Sequence, residues 1–477
     1  MSFFIAIDCG TTSTRVIAFN KELKVHCIHQ AQLDLTTPSP QWIEQSAHEI
    51  WIKTKYCLDR VIQDIGVENI RNIGLTNQRE TSIIWDKVTI LAKGPAISWQ
   101  CRRTQDRCKE LANYQIEIKE RTGLPIDPYF SATKIEWLIK NANKIDPNFN
   151  IANYCMGTVD TWLIYNLTHG NVYATDVTNA SRTMLFNINT TQFDPFLCSL
   201  FNIPLDQLPT VKMSHDHYGY YSYNGKTIPI TGVIGDQQAA LFAQCNRKNN
   251  VIKNTYGTGL FLMSNTANTI VKTKDLVTTI AVGLNGEIDY GLEGSVFTGG
   301  SLLKWLRDNL MLFKNIEDTE KIAQDVPDNG GVTIIPALSG LGAPYWQPNA
   351  TGIITGLTHQ TRSAHIIRAG LEAIALQSHD IIQLFKQACP NINFDQLFVD
   401  GGASQNNWLI QLQADLCQCE ILRPESIEAT ALGATMIANN DIDFSNRSSK
   451  VDRFKPDKEP MTLSSQWRKA LQLIKTD

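Results

Sequence analysis

Ile5-Ala-Ile-Asp-Cys-Gly-Thr-Thr-Ser-Thr-Arg15 reads as the end of an apolar strand, a glycine turn rich in hydroxyls, and the start of a second strand. Phe3 to Asp8 is short, apolar and β-branched, and Arg15 to Phe19 continues the pattern after the turn. A glycine turn leaves backbone N–H groups facing outward; Thr11, Thr12 and Ser13 add hydroxyl donors, and Arg15 adds a positive charge. That combination suits a chain of phosphates. Asp8, at the strand end, is placed to hold a hydrated Mg²⁺ that bridges phosphates. An ordinary hairpin with a hydroxyl-rich turn fits the same residues, and the motif alone leaves both readings open.

Outward from this hairpin, strand-like runs recur at 72–76, 228–234, 251–256, 260–264, 332–336 and 397–400, with helical stretches between them. Ser363 to Ala388 is the clearest helix: Ile366, Ile367, Leu371, Ile374, Ile381 and Ile382 fall at helical spacing, and Pro390 lies beyond its end. Strands mixed with helices indicate an α/β protein. FIAIDCGTTS (4–13) and QLFVDGGASQ (396–405) both read as an apolar strand ending in Asp-x-Gly, which points to two related halves. A polar break at Cys245–Asn250 divides them into domains 1–245 and 246–440, followed by a polar, peripheral tail, 441–477.

Three further turns carry candidate chemistry. In Ile228-Pro-Ile-Thr-Gly-Val-Ile-Gly-Asp-Gln-Gln-Ala-Ala240 a strand ends at Gly235 and a helix begins after Asp236. Asp236 is an N-cap on one reading and the acceptor of a substrate hydroxyl proton on the other; the two are compatible at a helix N-terminus. A weak base is adequate for phosphoryl transfer, which depends on positioning and charge neutralisation. Asn254-Thr-Tyr-Gly-Thr-Gly259 reads as a hairpin whose Thr258 could clamp phosphate, and Asp400-Gly-Gly-Ala-Ser404 offers glycine backbone to a flat ligand such as adenine. Asn224-Gly-Lys-Thr227 is not a P-loop, because its upstream glycine, Gly219, stands one position too far away. No G-x-G-x-x-G follows a strand, so a Rossmann site is unsupported.

The acceptor side is expected from three segments. Arg79 and Glu80 offer a donor and an acceptor for hydroxyl groups, and Trp99 and Tyr129 offer amphipathic walls for a small polyol. On spacing alone, a surface ion pair and two half-buried core aromatics are the better reading of these residues.

The chain has 477 residues, 43 basic and 47 acidic, so its charge of −4 gives no reason to expect nucleic acid or an anionic membrane as partner. No apolar run approaches the ~20 residues needed to span a bilayer. The N-terminus lacks signal-peptide character, which makes a cytoplasmic location the default. Eleven cysteines, without a four-ligand pattern, read as reduced buried thiols.

Taken together the strings resemble the glycerol kinases of the FGGY carbohydrate kinase family, which shares the two-domain fold of hexokinase, actin and the heat-shock chaperones. The matching strings are DCGTTSTR (8–15), TNQRET (76–81), WQCRRT (99–104), DPYFSATK (127–134), GTVDTWLIY (157–165), TNASRTMLFN (178–187), GDQQAALF (235–242) and NTYGTG (254–259). The resemblance implies two actin/hexokinase-like (ribonuclease-H-like) domains of mixed sheet and helices around a central cleft. It implies ATP-dependent phosphorylation of glycerol to sn-glycerol 3-phosphate, ADP release, a Mg²⁺ requirement and a homodimer or homotetramer. By matching position, Thr11, Thr12, Ser13 and Arg15 look like phosphate contacts. Arg79, Glu80, Tyr129, Asp236 and Gln237 look like glycerol ligands, with Trp99 and Phe261 as apolar walls. Thr258, Gly300, Gly402 and Asn406 look like ADP-side contacts, with Asp236 the general base and Asp8 the Mg²⁺ organiser. Lys304 departs from the glutamine common among the family's nucleotide contacts, and the short loop 223–227 lacks the pattern that binds fructose 1,6-bisphosphate in some relatives. The tail after 440 matches relatives poorly. A related kinase for a pentulose or another polyol, and a nucleotide-binding protein without kinase activity, are the alternatives.

Overall fold

The first hairpin forms as read: β1 (Phe3–Cys9) and β2 (Ser13–Phe19) run antiparallel with Asp8 opposite Arg15, and the Gly10 N–H donates to the Ser13 carbonyl at 3.0 Å. The structure is a computed structural model describing residues 2–347, 349–425, 428–440, 450–458 and 463–474. β1 is apolar throughout because both its faces are covered. Phe3, Ile5, Ile7 and Cys9 enter one core with Trp85, Trp162 and Val233, while Phe4 and Ala6 enter a second with Ile234, Ala239 and Ala434.

Two compact units divide the chain: Met1–Ala243 with Thr278–Tyr290 and Glu428–Arg447, and Gln244–Val277 with Gly291–Ile427 and Ser448–Asp477. In the first, the sheet also contains β3 (Val25–Gln32), β4 (Ile70–Asn77), β5 (Tyr220–Tyr223) and β6 (Lys226–Gly235), in the order β5-β6-β4-β1-β2-β3. β6, β4 and β1 are mutually parallel, and both ends of the row are antiparallel.

The second sheet is built from β7 (Val251–Tyr256), β8 (Leu260–Ala267), β9 (Val277–Leu284), β10 (Glu287–Val296), β11 (Gln396–Asp400), β12 (Glu420–Pro424) and β13 (Val451–Phe454). Its order is β9-β10-β8-β7-β11-β12-β13. From β13 inward it repeats the first sheet: an antiparallel edge, three parallel strands, then an antiparallel hairpin mate. The counterpart of the β1–β2 hairpin is therefore β7–β8, and β11 corresponds to β4.

Packing departs from chain order at three places, the first being Thr278–Tyr290, which groups with the first unit. The helix Ala429–Ala438, expected with the second half, is rich in alanine and lies on β4, β6 and β1 of the first unit. Within the tail, β13 extends the second sheet, and Trp467 is buried and donates to Asp380 at 2.7 Å. Residues 441–449, 459–462 and 475–477 of that tail lie outside the described residues. All eleven cysteines are free thiols and all but Cys27 are buried. Among the described residues no helix is long and apolar enough to cross a membrane.

Candidate active site

Register decides where the chemistry collects. Cys9 lies beside Asn77 and Asn77 beside Gly235, so β1, β4 and β6 end on one edge of the first sheet. Ligands of open α/β sheets bind outside such carboxyl ends. Asp8 sits on this edge, with Arg79 and Glu80 just after β4 and Asp236 just after β6.

Arg79 is buried and organises the cluster. Its Nε is 3.3 Å from Asp236 Oδ1 and 3.8 Å from Glu80 Oε1, while Nη1 donates to Gln238 Oε1 at 3.2 Å and Nη2 to the Tyr129 hydroxyl at 3.3 Å. Gly235 makes room for it, since a Cβ there would lie 2.9 Å from Arg79 Cδ. Glu80 adopts φ +63°, a left-handed conformation costly for a side chain of its kind. The surroundings hold it there: its carbonyl accepts from Ser82 Oγ at 3.0 Å and Ser131 Oγ at 3.1 Å, and its carboxylate accepts from Arg182 Nε at 2.6 Å. Asp236 retains a partly exposed carboxylate, 25% of the side chain, and accepts the Gln237 N–H at 2.7 Å. Gln237 itself is buried.

Trp99 and Tyr129 meet edge to face at 5.7 Å, and the Trp99 indole donates to Thr11 Oγ1 at 2.9 Å. The aromatic wall is thereby tied to the glycine hairpin. Behind Tyr129, the fully buried Lys134 ammonium donates to the carbonyls of Pro128, Tyr129 and Phe130 at 3.0, 2.6 and 3.0 Å. Burial holds its pKa down to about 8, against the pull of Glu80.

On the hairpin, Thr12 is exposed and Thr11 and Ser13 are half-buried. Arg15 lies between two carboxylates, 2.5 Å from Asp8 Oδ2 and 2.9 Å from Glu428 Oε2. Burial pushes both carboxyl groups up and Arg15 opposes that shift. Among the described residues no group of three or more His, Cys, Asp or Glu could enclose a metal. That still fits Mg²⁺, which takes one or two carboxylates and completes its octahedron with phosphate and water oxygens. Asp8, paired with Arg15, is a carboxylate on this strand-end edge.

The second unit holds the remaining expected residues. Thr258 tips the β7–β8 turn, and its carbonyl accepts the N–H groups of Gly299 at 2.8 Å and Ser301 at 3.2 Å. The Gly300 N–H, opening the helix Gly300–Asp308, donates to the Gly257 carbonyl at 2.9 Å. A Cβ on Gly300 would sit 2.7 Å from that carbonyl oxygen, which explains the glycine. Lys304, one turn along, is exposed. Gly402 faces open space, and Asn406 caps the helix Asn407–Cys417 by accepting the Leu409 N–H at 2.9 Å. Phe261 is buried on β8.

Sequence reasoning did not single out Arg182, Lys134 or Glu428. The first two lie inside motif strings already quoted, so the signal was present without a role. Glu428 is 413 positions from Arg15 and carried no local signal.

Two sheets of repeated order, each with a glycine hairpin, define the actin- and hexokinase-like α/β class, and buried polar groups collect at the strand ends of the first sheet. The chain belongs to the FGGY family of carbohydrate kinases: the family's N-terminal domain model matches residues 3–243 and its C-terminal domain model residues 252–440. It is 47% identical over 440 residues to a glycerol kinase of Aquifex aeolicus, covering 92% of this chain and 89% of that one. A crystal structure of Plasmodium falciparum glycerol kinase with ADP is 33% identical with a TM-score of 0.90, covering 100% and 99% of the two chains. A ligand-bound xylulose kinase of Lactobacillus acidophilus, 19% identical with a TM-score of 0.86 over 99% and 98%, shares the fold.

Proposed function

We propose that the protein is an ATP-dependent kinase that phosphorylates glycerol to sn-glycerol 3-phosphate and releases ADP. The observation that carries this reading is the first-unit cluster in which Arg79 touches Asp236 and Tyr129, and Trp99 joins Tyr129 to Thr11. The full-length likeness to glycerol kinases supports it.

In this reading Arg79, Glu80 and Gln237 fix two glycerol hydroxyls, and Trp99, Tyr129 and Phe261 cover the C–H faces. The remaining terminal hydroxyl gives its proton to the Asp236 carboxylate as its oxygen bonds to the γ-phosphorus of ATP. The bond to the β,γ-bridging oxygen breaks, and ADP leaves. Thr11, Thr12, Ser13 and Arg15 hold the phosphates through hydroxyls, backbone N–H groups and charge, while Thr258, Gly300, Lys304, Gly402 and Asn406 serve the nucleotide side. Mg²⁺, organised by Asp8, supplies charge neutralisation on the phosphates when bound. Fixing the acceptor oxygen contributes through effective molarity, worth roughly 7–11 kcal/mol when alignment is good. The phosphate residues and every acceptor residue except Phe261 fall in 1–245, and the nucleotide side falls in 246–440.

The test is ADP release from MgATP with glycerol, xylulose, erythritol or no acceptor. Stimulation by glycerol alone is expected; stimulation by another polyol would leave the kinase assignment and overturn the acceptor. For Lys304→Gln the expected result is a KM for ATP raised by about threefold, the scale of an exposed charge contact, with kcat kept. An unchanged KM would remove Lys304 from the nucleotide site.

A further inference from the structure

The short segment 176–182 contains no residue assigned above to substrate, yet it touches both strand ends that launch the acceptor residues. Asp176 is fully buried, and its carboxylate accepts the N–H groups of Thr178 and Asn179 at 3.0 and 2.9 Å and Ser214 Oγ at 2.9 Å. The Thr178 hydroxyl donates to Asp176 Oδ2 at 2.7 Å and accepts the Gly235 N–H at 2.9 Å. Gly235 immediately precedes Asp236. The neighbouring Asn179 amide exchanges two hydrogen bonds with the Asn77 amide, at 3.0 and 3.2 Å, and Asn77 is the last residue of β4 before Gln78, Arg79 and Glu80.

We infer that Thr178 and Asn179, anchored by Asp176, are positioning residues that fix the end of β6 against the end of β4 and so hold Asp236 in register with Arg79 and Glu80. The inference rests on the proposed roles of those three residues. Two features make the tie selective. Strand pairing already joins Gly235 to Asn77, but strand ends fray, and side-chain bonds from a third element remove that freedom. A hydroxyl that donates to a carboxylate is also polarised into a better acceptor, which strengthens its hold on the Gly235 N–H. Displacement of about 1 Å at a reacting group can cost ~10²-fold in rate, so a small slackening at Gly235 is read directly by turnover.

The experiment compares wild type, Thr178→Val, Thr178→Ser and Asn179→Ala by glycerol-dependent ADP release at saturating MgATP. Valine keeps the shape of threonine and lacks the hydroxyl; serine keeps the hydroxyl. The expected result is a kcat about tenfold to a hundredfold lower for Thr178→Val, near-wild-type turnover for Thr178→Ser, and an unchanged KM for MgATP in both. Asn179→Ala is expected to raise KM for glycerol at constant KM for MgATP, and it decides the matter if Thr178→Val does not fold. Equal turnover of Thr178→Val and wild type, equal impairment of the serine and valine variants, or a shared rise in both KM values overturns the inference. Wild type without polyol-dependent turnover would instead sink the kinase reading beneath it.

Discussion

Asp236→Asn lowers kcat for glycerol phosphorylation by about 10²–10⁴, the usual worth of a positioned general base, and leaves the fold intact. Asparagine preserves the outline of the side chain and an oxygen that can accept the Gln237 N–H, now bonded at 2.7 Å. The helix Asp236–Cys245 therefore keeps its start. Two things are lost: the proton acceptor, and the negative charge 3.3 Å from Arg79 Nε. Arg79 is not stranded, because the Glu80 carboxylate remains 3.8 Å away and Gln238 and Tyr129 still accept or approach its guanidinium. Loss of structure is thus separable from loss of chemistry. Steady-state kinetics beside a thermal melt make the check: an unchanged melting temperature with depressed kcat supports the base, and near-normal turnover removes Asp236 from that role. A fall at the lower end of the range accords with phosphoryl transfer that depends chiefly on alignment and charge.

Local signals made the polar half of this site legible. The glycine–hydroxyl turn after β1 and the Gly-Asp step after β6 each announce themselves within a few residues, because strand ends and helix starts have short-range chemistry. Contacts set by packing did not announce themselves. Arg15 pairs with Glu428 across nearly the whole chain, and Arg182 reaches Glu80 from a different segment. Lys134 was visible in its motif, yet only the fold shows three successive carbonyls converging on its ammonium. The internal likeness also misled in detail. The two Asp-x-Gly strands resemble one another in sequence, but β1 turns back into a hairpin whereas β11 runs into the 402–405 helical turn. Topology equates β1 with β7, whose apolar-to-polar composition hides the relation. Apolar pattern reports burial, and burial is the same for strands in different places of one sheet order.

Gly433→Ala should destabilise the first unit by roughly 3 kcal/mol or more, at the upper end of overpacking penalties. Helix propensity alone predicts the opposite, because alanine outranks glycine by about 1 kcal/mol within a helix. Geometry decides which effect wins. A Cβ on Gly433 would lie 1.9 Å from the Ala239 carbonyl oxygen and 2.5 Å from its carbon, so it meets backbone that no rotamer change can move. Sliding the helix Ala429–Ala438 away offers no relief. A Cβ at Gly74 on β4 would already stand 2.3 Å from the Ala434 carbonyl oxygen, and one at Gly232 on β6 2.6 Å from the Ala438 nitrogen. Three glycines thus let one helix pack backbone to backbone against two strands and a second helix. That second helix begins at Asp236, with Ala239 one turn further on. Material that does fold is therefore expected to show depressed kcat as well as lower stability. The readouts are soluble yield and the thermal midpoint, with a fall on the order of 5–10 °C expected for a penalty of this size. A midpoint equal to or above wild type would mean that helix propensity outweighs the clash, and that the helix has more room over Ala239 than its backbone contacts allow.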